Sequence, residues 1–330
     1  MRTLAGIAAV LLLAACGSAD EQAAPTPQPT PTPTATAPWP LTGLPSDGPV
    51  DGPVLVVKVD NTANASPQRG LDAADLVVEE VVEGGVTRLA VMVHSALPGA
   101  DDLVVGPVRS VRSSDVGIVA PTQGVLVASG GAGPPVADLQ AAGITTVFED
   151  GPGFSRDPSR AAPYNLFVDL VDTRDSLPDD PAPPDYLEWA EDDGVALPPG
   201  EGAAGLLLRF SPSHTTQMDY DPATGWSRSG DDSGFTAGTV IALLVEESDA
   251  GYLDPAGNPV PVLLTTGSGA GWLAHAGTLV PIEWSKPDAS QPWSFTTSEG
   301  DPLAVPPGRV YLALMPSGTA SVTPVAPATE

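Results

Sequence analysis

The stretch VVEEVVEGGVTRLAVMVHS, residues 77 to 95, constrains the fold more than any other in this chain of 330 residues. A dense run of β-branched residues is split by Gly84-Gly85, the residue type that reverses a chain where φ must be positive. A helix over 74–83 also fits the spacing of Val77, Val78, Val81 and Val82. The β-branched run, and the Gly-Gly ahead of a second such run, favour a hairpin. With Gly84-Gly85 as a two-residue turn, Glu83 faces Val86, Val81 faces Arg88 and Glu79 faces Ala90. Glu79, Val81, Glu83, Val86, Arg88 and Ala90 then share one face, with Arg88 diagonally between Glu79 and Glu83. The other face holds Val78, Val82, Leu89, Val91 and Val93, interrupted by Glu80 and Thr87. The expected product is a carboxylate–guanidinium lattice on the more polar face of a hairpin.

Around it, VLVVKVDN (54–61) reads as a buried strand ending in a polar turn at Asp60 and Asn61. Residues 107–121 carry Pro107 early and then helical spacing, and GVLVAS (124–129) is a further strand. PPVADLQAAG (134–143) reads as a short helix closed by Gly143, followed by the strand TTVFED. This alternation predicts a layered α/β (α+β) domain over residues 40–174. No convincing helix follows residue 205. TVIALLVEE, PVLLTTGSG and GRVYLALMP, separated by Gly, Pro and Asp turns, predict a mostly-β domain over 205–330. Between the two lies an acidic, proline-rich connector, 175–204, in which Tyr186, Leu187 and Trp189 are expected to dock on a neighbour.

The first 38 residues serve another purpose. Arg2, the apolar run Leu4 to Ala15 and then Leu13-Ala14-Ala15-Cys16 resemble a bacterial lipoprotein leader. The run is too short to span a bilayer. Residues 1–15 read as a signal peptide, with cleavage before Cys16 and acylation of that cysteine. Two or more acyl chains anchor stably where one does not. The Thr-Pro alternation that follows, to residue 38, favours polyproline II and buries nothing, so it reads as a tether of roughly 70 Å. The expected location is the outer face of the cytoplasmic membrane. Cys16 is the only cysteine, which excludes an internal disulfide. A net charge of −28 repels nucleic acid, so no nucleic-acid partner is expected.

Eight of the 13 basic residues lie between Lys58 and Arg174. Arg109 and Arg112, three apart at an expected helix start, fall on one face. Arg156, Arg160 and Asn165 share the loop FSRDPSRAAPYN. With Asp60, Asn61, Glu79, Glu83 and Arg88 these are the candidate binding residues. In so acidic a protein, clustered guanidinium groups point to recognition of carboxylate or phosphate. Equally, each Arg can pair with Asp75, Glu79, Glu83 or Asp115 and pin the fold. Other features carry less. SGGAGPP reads as a turn before an anion cradle, and TTGSGAGW lacks the following helix a dinucleotide site needs. Trp226, Trp272, Trp284 and Trp293 read as core before sugar-stacking platforms. His94, His214 and His275 lack metal spacing, and no nucleophile elbow exists, so neither a metal nor a cofactor is expected.

The motifs WPLTGLP, VDNTANASPQRGLDAADLVVEEVVEGGVTRLA, VGPVRSVRSSDVGIV, RAAPYNLF, GWSR, TTGSGAGW, EWSKP and GRVYLALMPSG, in this order over about residues 40 to 320, resemble the YerB-like lipoprotein family. That resemblance implies a two-domain surface lipoprotein and brings no established activity. It also implies His at the position of Tyr164, which argues against a metal or proton relay there. The expected function is a non-enzymatic envelope module that binds a cell-wall component or a membrane-bound wall-synthesis protein. The alternative is a wall-directed hydrolase using Glu79 or Glu83 with Asp60 or Asp75. Against it, four strand residues at ~3.3 Å set Glu79 and Glu83 roughly 13 Å apart. A purely structural scaffold is a third reading.

Overall fold

The computed structural model describes residues 37–178, 181–192, 197–230 and 232–327. The expected leader, Cys16 and the expected tether up to residue 36 lie outside the described residues. In the first segment the strands are β1 (Leu55–Asp60), β2 (Leu76–Val81), β3 (Thr87–Val93), β4 (Val104–Val105), β5 (Val125–Val127), β6 (Thr145–Val147), β7 (Phe154–Arg156) and β8 (Leu166–Asp169). Helices α1 (Asp115–Val119), α2 (Gly133–Ala141) and α3 (Leu170–Asp175) are short. The second segment supplies β9 (Glu201–Gly202), β10 (Gly205–Ser211), β11 (His214–Asp221), β12 (Gly225–Arg228), β13 (Thr239–Leu253) and β14 (Pro259–Leu264). It continues with β15 (Gly267–His275), β16 (Thr278–Lys286), β17 (Ser294–Thr297), β18 (Val310–Pro316) and β19 (Ser321–Val325).

The protein is mostly β, and the first segment is itself largely β. One sheet dominates, in the order β17-β16-β15-β13-β18-β2-β3-β1-β5-β6, with β14 and β9 added to β13 and β16. Strands β1, β2, β3 and β18 are buried along their whole length, as expected of apolar strands covered on both faces. Strand β18 lies between β13 and β2 and runs parallel to both, Val310 pairing with Thr239 and with Leu76. The two sequence segments therefore complete one sheet. On one face a four-stranded sheet, β12-β11-β10-β19, packs Leu208, Phe210 and Met218 over Val77, Leu89 and Val91. On the other, Ile118, Leu139, Tyr186 and Leu187 pack with Val56, Val78 and Met92. Connector residues Tyr186 and Leu187 are fully buried, and Trp189 Nε1 donates to Pro40 O at 3.0 Å.

Two local expectations are corrected. The helix over 107–121 is reduced to α1 and a 3-10 turn at Ala120–Thr122. Residues before it run extended because their backbone pairs elsewhere: Arg109 N donates to Lys58 O at 2.8 Å and Val111 N to Gly130 O at 2.9 Å. Tertiary pairing overrides helical spacing there. The hairpin forms, but its turn holds three residues, Glu83 to Gly85, with φ of 73° and 72° at the two glycines. Val82 N donates to Val86 O at 2.8 Å, and Glu79 pairs with Leu89, Glu80 with Arg88 and Val81 with Thr87. A shift of one residue moves side chains to the opposite face. Glu79 and Arg88 thus lie on opposite faces of the hairpin.

Because β18 closes the centre of the sheet, neither segment retains a complete core without the other. Residues 40–174 or 205–330 produced separately will give no cooperative thermal transition by circular dichroism, whereas residues 37–330 will melt in one. Sharp independent melting of either piece would contradict the single-sheet architecture.

Candidate functional site

Glu79 is the most heavily hydrogen-bonded side chain of the hairpin. It is wholly buried, and its Oε1 accepts from Asn61 Nδ2 at 2.8 Å and Thr87 Oγ1 at 2.6 Å. Oε2 accepts from Tyr311 OH at 2.6 Å, and Thr216 Oγ1 donates across both oxygens at 2.8 and 2.9 Å. His214 Nε2 stands 3.0 Å from Oε1. Because an ionised carboxylate only accepts, this contact places the proton on Nε2. Burial works against the Glu79 charge, but His214, Thr87 and Tyr311 outweigh it and hold its pKa below the ordinary 4.5. The donors come from β1's end, β3, β11 and β18, so the carboxylate knots both segments together.

Above Glu79 opens a depression of roughly 200 Å³ lined by Asn61, Thr62, Gln68, His214, Thr216 and Arg228 among others. Arg228 Nη1 donates to Asn61 Oδ1 at 2.5 Å, and Gln68 Nε2 to Asp60 O at 3.1 Å. Asp60 Oδ1 accepts from Thr62 N at 2.7 Å and Thr62 Oγ1 at 2.6 Å, while its Oδ2 lies 2.9 Å from Arg109 Nε. That last contact is an ion pair without hydrogen-bond geometry. Arg160 holds the loop forming one wall by donating to Ala65 O at 2.5 Å and Pro67 O at 3.0 Å. Arg69 and Arg160 both stack on Phe167, with centroid distances of 4.9 and 5.5 Å. Tyr164 OH lies 3.5 Å from Asn64 Nδ2.

The sequence-derived candidates therefore separate into three places. Asp60, Asn61 and Glu79 meet at the depression, with Arg109 and Arg160 supporting it. Glu83, Arg88 and Arg112 form a second group. Glu83 Oε2 accepts from Arg112 Nε at 2.8 Å, a second Arg112 nitrogen reaches Oε1, and Arg88 Nη2 joins Oε1 at 3.1 Å. Arg88 Nη1 also donates to Ser110 O at 3.0 Å. Burial and the neighbouring Arg112 push the Arg88 pKa down to about 10. Burial also opposes the Glu83 charge, yet Arg112 and Arg88 keep that carboxyl below its usual range. Arg112 further borders a cavity of about 520 Å³ shared with Gly130, Gly131 and Tyr252. The third place is exposed: Arg156 bonds Asn165 at 3.0 Å and Glu149 at 2.8 Å.

Reading the sequence alone missed His214, Thr216, Arg228 and Tyr311, which lie more than a hundred residues from Glu79 and reach it only through sheet packing. The one available signal was the alternation of His214 and Thr216 on a strand with Thr215 exposed between them. Trp226, Trp284 and Trp293 are buried in the core. A further cavity of about 470 Å³ beside Gly84 and Gly85 is lined by Val81, Phe210, Pro261 and carboxylates, with no comparable set of donors. Among the described residues no group of His, Cys, Asp or Glu is arranged to hold a metal ion.

Two outcomes follow. Replacing Arg88 by Ala removes a hydrogen bond to a charged group inside the fold and will cost about 1.5–3 kcal/mol in urea unfolding, more than the ~1 kcal/mol of an exposed pair. The Glu79 pKa is lower folded than unfolded. Its contribution is therefore complete above 4.5 and is lost as pH falls below that value. Glu79→Gln will accordingly flatten the acid limb of the stability–pH curve relative to wild type. Parallel acid limbs for the two proteins would show that Glu79 is not ionised in the fold.

Comparison with known proteins agrees with this architecture. The family model described as the N-terminal domain of a protein of unknown function (DUF3048) matches residues 41–182, and the model of the corresponding C-terminal domain matches 208–312. The curated protein named "Putative lipoprotein YerB" of Bacillus subtilis (strain 168) is 45% identical over 75 residues. That match spans 22% of this chain and 21% of the relative. The crystal structure of the YerB protein from Bacillus subtilis has the same fold, with a TM-score of 0.71 at 20% identity over 87% of this chain and 99% of that one. With both family domains present in order and the fold in common, the chain belongs to the YerB-like family.

Proposed function

We propose that this chain is a lipid-anchored envelope protein, held at the outer face of the cytoplasmic membrane by Cys16. In this reading it binds an anionic group of a cell-wall polymer in the depression above Glu79. The observation that carries the reading is the buried, ionised Glu79, which fixes His214, Asn61 and Thr216 in the floor of a polar recess flanked by Arg228. A recess of roughly 200 Å³ is below the ~300–1,000 Å³ of small-molecule pockets, so it suits one sugar-sized group of a longer polymer. Arg and imidazole in an otherwise acidic protein favour an anion. The name of the curated relative, a lipoprotein, supports the anchor.

A hydrolase is not favoured, because each carboxylate it would use is already committed. Glu79 and Glu83 are held below their usual range, whereas a general acid needs a raised pKa. Asp75 accepts from His94 N at 2.7 Å and Ser95 N at 2.8 Å, and Asp60 from Thr62.

Co-sedimentation of residues 37–330 with purified cell wall tests the proposal. Wild type will pellet with the wall, and Arg228→Gln with an unchanged melting temperature will stay in the supernatant. Because the charge of −28 opposes nonspecific adhesion to an anionic wall, pelleting carries information. Wild type remaining in the supernatant, or pelleting that survives Arg228→Gln, would overturn this site.

A further inference from the structure

Lys58, Glu80 and Asp115 form a closed triad on the face of the main sheet opposite Glu79, and wall binding makes no use of it. Lys58 Nζ lies 2.6 Å from Asp115 Oδ1 and 2.5 Å from Glu80 Oε1, and all three side chains are fully buried. Lys58 comes from β1, Glu80 from β2 and Asp115 from the first turn of α1. Their surroundings are apolar: Val56, Val78, Ala90, Ile118 and Leu126 belong to the core on this face. Asp115 Oδ2 accepts the Arg112 backbone N–H at 2.7 Å. Glu80 Oε2 has no hydrogen-bond partner although it is buried.

A buried ion pair alone accounts for the Lys58–Asp115 contact. It does not account for a second carboxylate on the same amine, which leaves two buried acids to one buried base and one oxygen, Glu80 Oε2, unpartnered. The same three groups have another relation. An amine and a carboxyl group held in contact out of water are the reactants of an amide. A proton passing from Nζ to Oδ1 across 2.6 Å gives a neutral amine beside a neutral acid. Burial opposes the Lys58 charge, but the adjoining Asp115 and Glu80 outweigh it and hold the amine above its ordinary range, so the neutral amine is reached only through proton transfer within the triad. Folding also holds the reacting groups at an effective molarity of about 10⁵–10⁸ M.

We propose that Lys58 Nζ and Asp115 Cγ join in an intramolecular isopeptide bond, with Glu80 relaying the protons. The neutral amine attacks Cγ, forming the N–C bond, while the Arg112 N–H faces the oxygen Oδ2 on which charge develops. Glu80 takes a proton from nitrogen and delivers one to Oδ1, and the Cγ–Oδ1 bond breaks to release water. The three protons of the ammonium end as the amide N–H and the two hydrogens of that water, the two opposite charges cancel, and Glu80 is regenerated. No oxidant, reductant or cofactor enters. Burial first, and then the neighbouring Asp115 charge, push the Glu80 carboxyl above its ordinary range, which suits a group that must hold and return a proton. The bond would tie β1 to α1 across 57 positions of chain. Such a cross-link removes freedom from the unfolded state, as a disulfide does in chains that have the cysteines for one.

Mass spectrometry of the purified full chain after denaturation and trypsin digestion tests this. The expected product is a single linked species. In it Lys58 is uncleaved, its peptide is joined to the one beginning at Ser113, and the total is lighter than the sum of the two by one water. Glu80→Gln should give the two free peptides with cleavage at Lys58, as should Lys58→Arg at the unlinked mass. Because the digest is read on denatured wild type, the decisive result does not depend on any variant folding. Free peptides only in the wild-type digest would overturn the bond, and full linkage in Glu80→Gln would overturn the role of Glu80.

Discussion

Charge burial is the constraint on which the rest depends. The β2–β3 hairpin takes Glu79, Glu80 and Arg88 out of water within ten residues, and a charge placed in a protein interior costs several kcal/mol unless matched. Each match is supplied by a different part of the chain. Asn61, His214, Thr216 and Tyr311 satisfy Glu79 on one face, while Lys58 meets Glu80 on the other. Alternation along the strand makes this division possible, since adjacent glutamates point in opposite directions. A slip of one residue would carry Arg88 and Thr87 to exchanged faces and leave both partner sets mismatched. Polar matching therefore defines the register that hydrophobic pattern leaves open.

Strand β18 gives the matching its geometry. It delivers Tyr311 to Glu79 from the second segment and, by running parallel to both neighbours, fuses the two segments into one sheet. The depression lies where these segments meet, so Asn61, Thr62 and Gln68 of one family domain and His214, Thr216 and Arg228 of the other line it together.

Much of the fold was legible. The valine runs of β1, β2, β3 and β5 and the apolar run of β18 announce buried strands, and Pro134 and Gly143 bracket α2. The hairpin register was not, because Gly84-Gly85 serves a two-residue turn and a three-residue turn beginning at Glu83 equally well. The helix expected over residues 107–121 failed for a different reason. Arg109 and Val111 find backbone partners on Lys58 and Gly130, contacts that local periodicity cannot register. The site was half legible. Asp60, Asn61 and Glu79 stand out as polar groups ending or interrupting apolar runs, whereas His214, Arg228 and Tyr311 acquire meaning only once β11, β12 and β18 are packed. The arginine cluster resolved largely into internal pairing: Arg88 and Arg112 share Glu83, and Arg109 faces Asp60.

The position of β18 also orders events in time. Polypeptides are synthesised from the N-terminus, and segments pack as they emerge. Here the central strand is among the last, at Val310–Pro316, so β2 and β13 present unpaired, apolar edges until nearly the whole chain has left the ribosome. Open edges of this kind template aggregation. The molecule is thus obliged to remain incomplete throughout its synthesis and to finish folding in one late step. Were the chain exported as an unfolded thread, as the proposed lipid anchor requires, that delay would keep it translocation-competent.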